Sequence, residues 1–90
     1  MKIIYYKPHV CYLLDDAGQL IINVRSNRGF VDFSITYPLD DTETAKYHEE
    51  GNVYIDQLAS DIDEYQDAFL GLEVDLETHK RVHTAIMAIR

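Results

Sequence analysis

Between Ile3 and Tyr37 the apolar residues come in the short runs and alternations of strands; from Leu39 onward they recur every three or four positions, as on helices. The clearest strand is Phe30 to Tyr37. There Val31, Phe33, Ile35 and Tyr37 alternate with Asp32, Ser34 and Thr36, the period of a sheet with one buried face. Ile3–Tyr6, His9–Leu14 and Leu20–Arg25 read as further strands, the first ended by Pro8, which has no N–H to give to a ladder. Asp15-Asp16-Ala17-Gly18-Gln19 is the turn of a hairpin, and Ser26-Asn27-Arg28-Gly29 is a second turn. The pattern predicts a three- or four-stranded antiparallel β-meander over residues 2–37.

Past Pro38 the period changes. Asp40 and Glu43 are spaced as a capping box, and Tyr47, Gly51, Tyr54, Ile55, Leu58, Ile62, Tyr65 and Phe69 follow on one helical stripe. Gly51 either ends a short helix at Glu50 or sits inside a long one; the stripe predicts one long acidic helix over about 40–67. Gly71 terminates it. Asp75 then caps a C-terminal helix over about 75–89, with Val82, Ala85, Ile86 and Ile89 as its apolar face. The fold class is therefore α+β, a single domain over residues 1–90: a meander packed on one face by two helices.

Charge changes this picture more than composition does. Residues 40–78 hold thirteen acidic groups and one basic group, Lys46, whereas residues 1–39 and 79–90 are each slightly basic; the whole chain carries −8. Such a field attracts basic partners and repels nucleic acid. On one helix through 40–67, Glu49, Asp56, Asp63 and Asp67 fall opposite the apolar stripe as a line of carboxylates, with Glu50, Asp61 and Glu64 beside it. Lys46 is in reach of Glu49 or Glu50. The line reads as a solvated face or as a docking surface for a basic protein, a toxin cleft or a nucleic-acid-binding groove.

Other chemistry is weaker. Asp75, His79 and His83 share one side of the last helix at a spacing that can hold zinc, yet Lys80 stands where a hydrolase places its glutamate, and Asp75 is accounted for as a cap. The acidic run from Asp61 lacks the turn glycine of a calcium loop, having Gln66 there. His9 and Cys11 share a strand face, but a lone cysteine there reads as a small core residue. Arg25 and Arg28 make too small a basic patch for phosphate. No cofactor or catalytic group is expected, nor direct contact with nucleic acid or membrane. The first residues do not read as a signal peptide and no apolar run reaches about 20 residues, so a cytoplasmic location is expected. A chain this small is also suited to homodimerisation.

Leu39 to Ala59 leads from a strand into a helix bearing Tyr47, then Gly51, then Tyr54 and Leu58-Ala59. This stretch, about a quarter of the chain, resembles small bacterial immunity-type proteins of toxin systems. The resemblance implies a non-enzymatic α+β protein that neutralises a cognate toxin by binding it, and it transfers no catalytic residue. The reading is thus an acidic inhibitor that occludes a basic partner. The alternatives are a phage-type inhibitor mimicking nucleic-acid charge, a metal-binding protein using its histidines, or a structural homo-oligomer.

Overall fold

The computed structural model describes residues 1–28 and 31–89, the side chains at 26–28, 31–33 and 70 excepted. Four strands, β1 (Lys2–Lys7), β2 (Cys11–Asp16), β3 (Gln19–Arg28) and β4 (Val31–Pro38), form an antiparallel sheet in the order β1-β2-β3-β4. The helices are α1 (Asp41–Glu50), α2 (Asn52–Glu64), α3 (Gln66–Leu70) and α4 (Leu76–Met87). The α+β meander followed by helices stands as the sequence predicts.

The strand boundaries shift by one or two residues at most of their ends, and two differences change the connections. The turn after β1 takes in Pro8, His9 and Val10, with His9 at φ 64° and the Val10 N–H donating to the Lys7 carbonyl at 3.0 Å, so β2 starts at Cys11 rather than His9. Ser26, Asn27 and Arg28 continue β3, paired with Phe33, Asp32 and Val31, instead of forming a turn. Gly29 of that predicted turn and Phe30 of the predicted strand lie outside the described residues.

Consecutive apolar residues in β2 and β3 decide how the layers stack. Leu13 pairs with Ile22 and Leu14 with Ile21, and neighbours along a strand point to opposite faces. All four are buried, so both faces are covered. On one face Cys11, Leu13, Leu20, Ile22, Val24, Ile35 and Tyr37 pack under Ile55, Leu58, Ala59 and Ile62 of α2. On the other, Leu14 and Ile21 pack under Val82 and Ile86 of α4. The expectation of two helices on one face is corrected: α2 and α4 sandwich the sheet. β1 serves both layers through a bulge, because the register skips Ile4 between Ile3↔Leu14 and Tyr5↔Leu13. Ile3 consequently joins the α4 side and Tyr5 the α2 side, although strict alternation would place them together.

The single long helix over 40–67 is also corrected. Gly51 adopts φ 71°, ψ −147°, a region open to glycine and strained for any other residue, and its N–H donates to the Tyr47 carbonyl at 2.7 Å to close α1. Tyr65, at φ −112°, ψ 46°, ends α2 and separates it from α3. Tyr65 is 59% exposed and so leaves the predicted buried stripe, while Ala59 and Gln66 enter the interior. Both predicted caps form: Asp40 and Glu43 exchange bonds of 2.8 and 2.9 Å, and the Thr78 N–H donates to Asp75 Oδ1 at 2.8 Å.

Candidate functional site

Dividing the helix redistributes the predicted carboxylate line. Glu49 and Glu50 stand exposed at the end of α1, Asp56 and Asp61 are half-buried on α2, and Asp63, Glu64 and Asp67 are exposed around the α2–α3 bend. The buried face of α2 is centred on Ile55, Leu58, Ala59 and Ile62. At 100° per residue Asp56 and Asp63 then lie roughly a quarter-turn from its centre, and Glu64 lies opposite. The predicted stripe includes Tyr65, which is exposed, and omits Ala59, which is buried, and this rotates the inferred buried face.

Asp56 consequently faces the sheet margin. Its Oδ1 accepts from the Tyr5 hydroxyl of β1 at 2.8 Å, and this bond, followed by burial, raises the tyrosine pKa. The same carboxylate acts on Cys11, whose thiol is pushed up first by burial and second by the Asp56 charge, with Lys7 acting in the opposite sense. Cys11 is fully buried and His9 lies exposed in the preceding turn, so the two do not form a pair on one strand face. A buried thiol held protonated is an inert core group.

Elsewhere on the helices, Gln57 Nε2 donates to Asp61 Oδ1 at 3.0 Å, and Gln66 Nε2 to Asp63 Oδ1 at 3.5 Å. Glu43 Oε1 accepts from both the Asp40 N–H and the Tyr37 hydroxyl, the latter at 2.7 Å, which fastens α1 to β4. Lys46 makes no ion pair with Glu49 or Glu50 among the described residues. Glu49, Glu50 and Glu64 remain exposed and without such partners there. The helical layer thus keeps a set of solvated carboxylates and is fastened to the sheet by Tyr37–Glu43 and Tyr5–Asp56.

The histidines are used differently. Thr36 Oγ1, fully buried, accepts from Asn23 Nδ2 at 2.9 Å and is hydrogen-bonded to His79 Nδ1 at 2.8 Å. His79 therefore points into the interface between α4 and the sheet, while His83 is exposed and Asp75 is engaged at its helix cap. Among the described residues no three His, Cys, Asp or Glu groups are placed to hold a metal ion. The Asn23–Thr36–His79 cluster escaped sequence reading; a polar residue at the centre of β3, inside Leu20-Ile21-Ile22-Asn23-Val24, was the available signal.

Arg81 reaches back to Asp16 at 2.6 Å, tying α4 to the end of β2 in a half-exposed ion pair of small energetic weight. Arg25 is exposed, and the side chain of Arg28 lies outside the described residues. Among the described residues no helix is long and apolar enough to cross a membrane. Comparison with protein-family profiles, with curated proteins and with solved structures finds no match.

Proposed function

We propose that this chain is a non-catalytic binding protein of the immunity or antitoxin kind, which occludes a basic partner with the acidic helical layer on one side of its sheet. The observation that carries this reading is the exposed set Glu49, Glu50 and Glu64, free of ion pairs among the described residues and lying within a segment of net charge −12. Solvated, uncompensated carboxylates raise the rate of encounter with a basic surface and select against acidic ones. Asp63 and Asp67 extend the surface around the α2–α3 bend. Asp56 is engaged with Tyr5, which holds α2 to β1, and Asp61 accepts from Gln57 within α2.

The test is capture from lysate on immobilised protein, eluted by a salt gradient, beside a Glu49→Lys, Glu50→Lys, Glu64→Lys variant. A basic protein held by the wild type, released as salt rises and lost on the variant is the expected result. Equal retention on both surfaces defeats the reading. Mimicry of nucleic acid would draw on the same carboxylates, and competition between the chain and duplex DNA for the captured protein separates the two.

A further inference from the structure

The two edges of the sheet are not alike. At β4 the segment before α4 folds over the edge: the Val74 N–H donates to the Thr36 carbonyl at 3.0 Å, and the Thr36 N–H donates to Glu73 Oε1 at 3.2 Å. β1 is the other edge, paired among the described residues with β2 alone. Beside it runs an apolar groove of about 410 Å³ lined by Ile3, Ile4, Tyr5, Tyr6 and Ile89. Ile4 is 39%, Tyr6 53% and Ile89 51% exposed, so the groove presents hydrophobic surface to solvent. Lys2 and Lys7 stand exposed at the two ends of the strand, and neither makes an ion pair among the described residues. At about 3.3 Å per residue these two ammonium groups mark off roughly 17 Å of edge.

We propose that the β1 edge is a second docking site, for an extended segment of a partner protein whose apolar centre is flanked by acidic residues. Such a segment adds to the sheet as a further strand. Main-chain hydrogen bonds to Tyr5–Lys7, beyond the bulge at Ile4, supply pairing. Apolar side chains enter the groove beside Ile4 and Ile89, and carboxylates at the segment's ends meet Lys2 and Lys7. Lysines and a bulge on an edge also discourage indiscriminate pairing with neutral strands. The same two charges therefore act as a filter, admitting an acidic strand and rejecting a basic one. They oppose self-pairing too, since antiparallel pairing of two β1 strands about their centre sets Lys2 of one copy against Lys7 of the other. The lysines differ in sign from the acidic helical layer, whose Asp56 meets the groove at Tyr5, so the partner has the opposite charge.

The experiment is a titration of the full chain into a fluorescent peptide, Asp-Asp-Val-Thr-Val-Thr-Asp-Asp, followed by anisotropy. Saturable binding is expected, weakened about tenfold both by raising salt from about 50 to about 300 mM and by a Lys2→Glu, Lys7→Glu double variant. Alternate N-methylation of the peptide abolishes it, a control that leaves the protein untouched. Equal binding of the lysine-flanked peptide, an unaffected double variant, or no saturation by about 2 mM peptide overturns the proposal. So does sedimentation as a dimer with amide shifts at Ile4–Lys7 on dilution, which would assign the edge to a second copy.

Discussion

The Tyr5 hydroxyl of β1 donates to Asp56 Oδ1 of α2 at 2.8 Å, joining residues 51 positions apart. The bond exists because the bulge at Ile4 turns Tyr5 toward the α2 layer, and because α2, restarted at Gly51, presents Asp56 at its margin. Tyr5→Phe removes the donor from a part-buried, charge-assisted contact and is expected to cost about 1–2 kcal/mol. Asp56→Asn keeps an acceptor and should cost less than Tyr5→Phe. Urea unfolding of the two variants measures this; a Tyr5→Phe protein as stable as the wild type would show that the contact is idle in solution.

Three tyrosines make stability depend on alkaline pH. Tyr5 is raised above 10.0 by its bond to Asp56, and Tyr37 and Tyr54 by burial, with Glu43 adding to both. A folded-state pKa above the unfolded value means that the tyrosines' share of stability is complete below pH 10 and is lost as pH rises through the folded values. Above pH 10 the unfolded chain releases these protons while the folded one keeps them. Each such tyrosine then removes up to about 1.4 kcal/mol per pH unit. Thermal midpoints should begin to fall near pH 9, where the unfolded chain ionises Cys11, and fall faster beyond pH 10; Tyr37→Phe should flatten that second part of the decline. An alkaline limb of equal slope in the variant counts against the Tyr37–Glu43 pair as its source.

Gly51 separates α1 from α2 by conformation alone, since a Cβ there would meet nothing within 4 Å among the described residues. Gly51→Ala therefore tests backbone strain without a steric clash. At φ 71°, ψ −147° it should destabilise the fold by about 1–3 kcal/mol, with helical circular dichroism little changed. A variant as stable as the wild type, with added helical signal, would mean that the two helices merge.

Ala17 carries the opposite case. It is a non-glycine residue at φ 53° in a two-residue hairpin turn whose second member, Gly18, sits at φ 96°. Both positions need positive φ, and Asn-Gly is the favoured pair there. Ala17→Asn is expected to add about 0.5–1 kcal/mol, raising the thermal midpoint by several degrees. A lowered midpoint would mean that the turn does not hold this geometry.

What could be read in the sequence was what local chemistry fixes. The Ala17-Gly18 turn and the Asp40–Glu43 and Asp75 caps each depend on residues within four positions of one another. What escaped depends on distant partners. The adjacent apolar pairs Leu13-Leu14 and Ile21-Ile22 do state that both sheet faces are covered, but not that the cover on the second face is α4. The bulge at Ile4 has no signature in a strand written Lys-Ile-Ile-Tyr-Tyr-Lys, and without it Tyr5 cannot be matched to Asp56. Helical spacing continued through Gly51 because glycine fits a helix in pattern while breaking it in conformation. The carboxylate line followed from that continuity and was divided with it.

The buried polar cluster under α4 yields the last prediction. Thr36 Oγ1 accepts from Asn23 Nδ2, so its own hydrogen can go to His79 Nδ1, and a neutral imidazole then carries its hydrogen on Nε2. Thr36→Val keeps the shape of the side chain but leaves both the Asn23 amide and the His79 ring without this partner. Stranding buried polar groups should cost about 1–3 kcal/mol, and Thr36→Ser, which retains the hydroxyl, should recover most of it. Because His79 sits in the first turns of α4, amide exchange should accelerate more across α4 than across α2, whose packing lies on the other face of the sheet. Uniform acceleration would instead point to a global loss of stability. A Thr36→Val protein matching the wild type in urea would remove the cluster from the forces that hold α4 to the sheet.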